Sequence, residues 1–133
     1  MQIIVPTAAE HAAGQLEGSS LASACAALTR DGLVLLRGIA AADELRKLER
    51  RMQADTASLL EFVNRNGGNP RARGHLQQGP PPTKDFVLPS VVMNPIVNQV
   101  SSAVMGCKPN LTFYNGNTNC PGSSTQGLHA DTR

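Results

Sequence analysis

The sequence is poor in several things at once. Its cysteines number three, Cys25, Cys107 and Cys120. They are too few and too far apart for a disulfide framework or a zinc knuckle, which leaves reduced structural thiols. Charged side chains make up 17% and the formal net charge is +2. A disordered acidic tail and a nucleic-acid footprint are both excluded on that balance. No run approaches the roughly 18 consecutive apolar residues that a membrane-spanning helix needs. Met1-Gln2-Ile3-Ile4-Val5-Pro6 lacks the basic start and apolar centre of a signal peptide, so the expected compartment is cytoplasmic. Aromatic residues are scarce too, with Phe62, Phe86, Phe113 and Tyr114 as the whole set.

What is present is enough apolar content, 41% of 133 residues, for one core in one domain. Ser19 or Ser20 can cap a helix through Leu21–Leu28 that stops at Asp31-Gly32. Leu33-Val34-Leu35-Leu36 follows as a buried strand closed by Gly38. The strongest periodicity predicts a helix over about 41–66. Leu45, Leu48, Met52, Leu59 and Val63 share one stripe, and Gly67-Gly68 stops the helix. Its basic run Arg46–Arg51 is interleaved with Glu44 and Glu49 and reads as a solvated face.

Three consecutive prolines, Pro80–Pro82, make Asn69–Pro82 a loop, in which His75 lies. A short strand is expected over Lys84–Leu88. Asn94-Pro95 then starts a helix with Ile96, Val97, Val100, Ala103 and Val104 on its apolar face and Gly106 as its stop. Asn110–Tyr114 alternates as a strand, with Thr112 and Tyr114 on the face opposite Leu111 and Phe113. A turn-rich stretch, Asn115–Ser124, leads into Gln126–Arg133.

The chemistry-bearing motif is His129-Ala130-Asp131. On an extended strand, residues two apart point to one face, so an imidazole nitrogen and a carboxylate oxygen converge there. With a second, distant histidine this pair makes the facial triad of non-haem iron oxygenases. The bland alternative is a hydrogen-bonded pair in a small α/β domain.

The order of pieces Asn110–Thr118, Pro121-Gly122 and Gln126-Gly127-Leu128-His129-Ala130-Asp131 resembles the phytanoyl-CoA dioxygenase family. Asp31–Gly38, Gly74–Pro80 and Asn94–Val97 resemble earlier segments of the same family, so the likeness covers most of residues 20–133. It implies an α+β fold, a helical N-terminal layer (1–109) followed by the first strands (110–133) of a double-stranded β-helix. It also implies Fe(II) and 2-oxoglutarate as cofactors and O2 as cosubstrate. The substrate would be a small lipophilic molecule, an acyl-CoA or a secondary metabolite. His129 and Asp131 would be two iron ligands. Tyr114 and Thr112 would reach a cosubstrate carboxylate or else pack at the barrel mouth. Gln126, three residues before His129, points away from the iron on an ideal strand but could contact cosubstrate across a bend. His75 would cover the substrate or sit at the surface. Lys84 would contact cosubstrate or be solvated.

One departure from the family pattern is large. The family's third ligand is a histidine several strands after the aspartate, followed by an arginine that holds the far carboxylate of 2-oxoglutarate. The other two histidines, His11 and His75, precede the motif, and Arg133 adjoins it. Eight core strands need on the order of a hundred residues, far more than 110–133 supplies. The expectation is a single, incomplete dioxygenase domain over 1–133, inactive by itself and prone to self-association through exposed sheet edges. The scarcity of aromatics fits a core of which part is missing. A different class of function, a non-catalytic remnant acting as a binding or interaction module, remains as the alternative.

Overall fold

The computed structural model describes residues 1–66 and 74–128. Gly67-Gly68 and the His129-x-Asp131 motif lie outside the described residues. The order of elements is β1 (Gln2–Ile4), α1 (Ala8–Ala13), α2 (Gly18–Asp31), β2 (Val34–Leu36), α3 (Ala42–Arg65), β3 (His75–Gln78), α4 (Pro89–Val92), α5 (Pro95–Met105) and β4 (Gly116–Asn119). The class is α+β, with two separate two-stranded sheets rather than one barrel sheet among the described residues.

The first layer starts at a capping box. The Thr7 hydroxyl accepts from the Glu10 amide at 3.2 Å, and the Glu10 carboxylate accepts from the Thr7 amide at 2.8 Å. The other carboxylate oxygen accepts from the amide of Glu17, at 2.8 Å. This explains a difference from expectation. α2 starts at Gly18, behind Glu17, and neither Ser19 nor Ser20 is its cap. The Glu10 carboxylate from α1 accepts from the amide of the cap residue itself, as the glutamate of a capping box does, and its negative charge suits a helix N-terminus. The far end of α2 is as expected, with Gly32 left-handed at φ 73°.

β2 forms within the expected segment and pairs in parallel with β1, which carries too few residues to show a period in sequence. The register is Gln2↔Val34, Ile3↔Leu35 and Ile4↔Leu36. The strand is not buried throughout. Val34 and Leu36 pack on the core, while Leu35 stays 40% exposed because that face of the sheet has no cover among the described residues. The core itself is small: Ile4, Leu16, Ala24, Ile96 and Val100, where β1, α2 and α5 meet.

α5 forms as its sequence predicts, capped by Asn94 and ended by left-handed Gly106. Ile96 and Val100 are buried, but Val97 and Val104 stay 38% and 40% exposed, so the expected apolar face is only half used. Gln99 ties α5 to the α1–α2 turn in the manner of a strand pair. Its Nε2 donates to the Leu16 carbonyl at 3.1 Å, and its Oε1 accepts from the Leu16 amide at 2.8 Å.

The second layer is α3 with the β3–β4 hairpin laid on it. α3 carries the expected stripe, yet none of its residues is fully buried, and Leu45 remains 42% exposed. Its last described cap is Asn66, whose amide bonds the Phe62 carbonyl at 3.1 Å. Three local expectations fail here. His75–Gln78 is a strand, not loop, because cross-strand partners on β4 are available within His75↔Asn119, Leu76↔Thr118, Gln77↔Asn117 and Gln78↔Gly116. Asn110–Tyr114, despite its alternation, is not a strand. It is unpaired, and Leu111 and Phe113 stand 63% and 65% exposed. The third, Lys84–Leu88, is a pair of turns. The amides of Phe86 and Val87 both fold back on the Thr83 carbonyl, at 3.0 and 2.9 Å, so they have nothing to offer a neighbouring strand.

Candidate functional site

The residues singled out in the sequence fall into three places. The first is the start of the β3–β4 hairpin. Gly74 takes φ 77°, and a Cβ built there would stand 3.0 Å from the Ser123 side chain and 3.1 Å from its Cα. Only glycine lets the strand approach the 120–124 turn this closely. The Cys120 amide donates to the Gly74 carbonyl at 2.8 Å, and the Ser123 amide to the Cys120 carbonyl at 3.0 Å. His75 completes the junction. Its Nδ1 lies 2.7 Å from the Asn119 Oδ1, and its Nε2 bonds the Ser124 carbonyl.

The tautomer follows from chemistry. A carbonyl oxygen only accepts, so Nε2 carries the proton. At Nδ1 the facing atom is the Asn119 Oδ1; the two ends of a side-chain amide are told apart only by their bonding, and a ring protonated at Nε2 alone pairs there with the NH2 end once the amide is turned over. His75 therefore spends both nitrogens within the chain. Its position is half-buried on β3, not in the loop the sequence suggested.

Further along the same strand, Gln78 is 4% exposed and uses every polar atom that a buried amide can bring to bear. Nε2 donates to the Met52 carbonyl at 3.1 Å and to the Thr56 hydroxyl at 3.2 Å. Its Oε1 accepts from the Thr118 hydroxyl. This closed set docks the hairpin on α3. Beside it, Leu45, Leu48, Met52, Thr56, Gln78 and Thr118 line a shallow apolar hollow of about 310 Å³.

The second place is a cleft of about 410 Å³ between α4, α5 and the 108–114 segment, lined by Val92, Val97, Ser101, Lys108, Leu111 and Tyr114 among others. The Tyr114 hydroxyl is enclosed and has no hydrogen-bond partner among the described residues. Burial pushes its phenol above the ordinary tyrosine range, because an anion there would lose its water. Thr112, two residues earlier, is exposed, and so is Lys84.

The third place is the approach to the motif. Gln126, Gly127 and Leu128 are exposed in irregular backbone, the last completely. His129 and Asp131 follow, outside the described residues. Among the described residues, no group of three or more His, Cys, Asp or Glu side chains could hold a metal ion. Tyr114, Thr112 and Gln126 belong to different surroundings, and among the described residues no hydrogen bond joins them to one another.

Two residues that organise this region were missed in the sequence. Gln78 sits beside a proline run that reads as loop, and nothing in its neighbours marks it as buried. Glu10 had a signal that could be read, the Thr7-x-x-Glu10 capping box. No protein-family model matches the chain.

Proposed function

We propose that the chain carries part of an Fe(II)/2-oxoglutarate-dependent dioxygenase of the phytanoyl-CoA dioxygenase type, acting on a small lipophilic molecule. The observation that carries the reading is the ordered run from Asn110 through Pro121-Gly122 to Gly127-Leu128-His129-Ala130-Asp131. In it, the His129 imidazole and the Asp131 carboxylate are metal ligands, and the strands that bear them belong to a double-stranded β-helix. Bound Fe(II), with 2-oxoglutarate and O2, supplies the oxidising power to attack an unactivated carbon. Tyr114, Thr112 and Gln126 are the candidates for holding the cosubstrate, and His75 for the substrate side. The described residues offer no third ligand. His75 is already committed to Asn119 and Ser124.

The chain's own contribution is a frame for the motif. β3 and β4 fix where the backbone leaves the hairpin, and the Gly74–Ser123 contact sets its direction. The alternative, an interaction module, draws on the exposed Phe62, Met93, Leu111 and Phe113.

Titration of the 133-residue polypeptide with Co(II), a visible-absorbing stand-in for Fe(II), tests the reading. Weak binding is expected, abolished by His129→Ala and by Asp131→Ala. Binding that both variants leave unchanged refutes the ligand assignment. Absence of binding, together with concentration-dependent sedimentation, favours the interaction module. No succinate is expected from this polypeptide with Fe(II), 2-oxoglutarate and O2.

A further inference from the structure

We infer that His75 is a positioning residue: through its Nε2–H bond to the Ser124 carbonyl, it clasps the segment leading to His129 and Asp131 onto the β3–β4 hairpin. That the segment bears metal ligands rests on the function proposed above. The clasp itself does not.

Four observations converge. His75 and Asn119 are direct partners in the antiparallel register, so the ring stands beside the Asn119 side chain without any loop having to move. The 2.7 Å contact to that side chain fixes the rotation of the imidazole. With the ring so fixed, its other nitrogen is directed at the Ser124 carbonyl. Immediately before it, Gly74 admits the Ser123 backbone at a distance no side chain would allow. The hairpin thus grips two consecutive residues, Ser123 by close packing and Ser124 by a hydrogen bond. His129 comes five steps along the chain from Ser124, a span of at most roughly 18 Å when fully extended. That length bounds how far from the clasp the ligand-bearing residues can lie.

The arrangement resembles the outer support that metal-site residues commonly have, in which a hydrogen bond beyond the ligands orients the backbone or ring that presents them. Here the support acts on the backbone. An imidazole suits this task, because it is rigid and carries a donor and an acceptor on opposite sides of one ring. Asn119 sets the ring and the ring sets Ser124.

Two substitutions separate the clasp from mere bulk. His75→Gln places an amide N–H near the position of Nε2 and keeps the bond to Ser124. His75→Asn reaches only as far as Nδ1 and loses it. Amide exchange at Cys120 and Ser123, together with backbone chemical shifts over 124–128, is read by NMR on the wild-type chain and both variants. A long-range 1H–15N spectrum of the ring reads the tautomer. The expected result is a protonated Nε2 in the wild type, and exchange at Ser123 about fivefold faster in His75→Asn, the loss of one ordinary hydrogen bond. His75→Gln should stay close to wild type. Equal exchange in all three proteins, or a ring protonated at Nδ1 alone, overturns the clasp. The same three proteins are titrated with Co(II). Weaker binding in His75→Asn, restored in His75→Gln, supports the positioning role, and equal affinity in the two variants overturns it. If the wild type binds no Co(II), the metal reading fails and the exchange data alone decide the clasp.

Discussion

Removing the side-chain amide of Asn94 is the most informative single perturbation of the fold. The residue is 5% exposed and makes four bonds. Its Oδ1 accepts from the amides of Ile96 at 3.1 Å and Val97 at 3.2 Å, capping α5. Its Nδ2 donates to the carbonyls of Ile39 at 2.8 Å and Ser90 at 2.9 Å. One side chain therefore joins α5, α4 and the loop after β2, and Asn94→Ala strikes both halves. Loss of the cap costs about 1 kcal/mol. Two carbonyls left without their donor cost about 1 kcal/mol each at the low end of the range for buried polar groups. The sum is about 3 kcal/mol, or roughly 10 °C in Tm for a chain of this size. Asn94→Asp splits the total. It keeps the cap oxygen but sets a carboxylate against two carbonyls, so it should be no more stable than Asn94→Ala at pH 7 and should recover as acid protonates it. Urea unfolding followed by far-UV circular dichroism measures both variants, which suits a chain without tryptophan. An Asn94→Ala protein within 0.5 kcal/mol of wild type, a margin ordinary for unremarkable surface changes, would refute the assignment of Asn94 as the joint.

Two further outcomes follow from the same polar joints. The Glu10 carboxyl is held down to about 2 from an ordinary 4.5, first by the Thr7 amide and then by the Glu17 amide and the Ser20 hydroxyl. A carboxyl lowered on folding contributes stability that is fully present above about pH 4.5 and is lost as pH falls toward 2. Glu10→Gln should flatten that part of a Tm-against-pH curve, and an unchanged slope would remove Glu10 from the account of acid sensitivity. At the other layer, Gln78→Leu leaves the Thr118 hydroxyl without its acceptor and removes both amide bonds to α3, while the Thr56 hydroxyl and the Met52 carbonyl keep each other at 3.0 Å. It should loosen the hairpin from α3 by about 2 kcal/mol, seen as faster amide exchange in β3 and β4 with little change in α5. Uniform exchange changes across both layers would show that the two are not separable.

The local signals carried far in some places and failed in others for a common reason. Asn94-Pro95 and Gly106 bound α5 correctly, since caps act within four residues and need no partner from elsewhere. The period of Leu48, Met52, Leu59 and Val63 marks α3 just as well. The strands were less legible. Leu111-Thr112-Phe113-Tyr114 alternates and yet pairs with no strand among the described residues, while Gly116-Asn117-Thr118-Asn119, rich in turn formers, is the strand. A strand exists only if its backbone groups find a second strand, and Gln78 and His75 supply that partner from forty residues away. The candidate site was legible in part. His129-x-Asp131 is a sequence motif, and the ligand role proposed for it rests on residue type, spacing and the family likeness. The clasp at Ser124 is not visible in sequence, because His75 there looks like one polar residue in a proline-rich loop.

The sequence by itself determined the three longer helices, both ends of α5 and the stop of α2, the absence of a helix long and apolar enough to cross a membrane among the described residues, and the two side chains proposed as metal ligands. All of these depend on residues close together in the chain. Tertiary structure decided which segments became strands, where Glu10, Gln78 and Asn94 spend their polar atoms, and how His75 comes to hold Ser124. Those outcomes depend on hydrogen-bond partners distant in sequence, and a buried donor or acceptor takes whichever partner the packing brings to it.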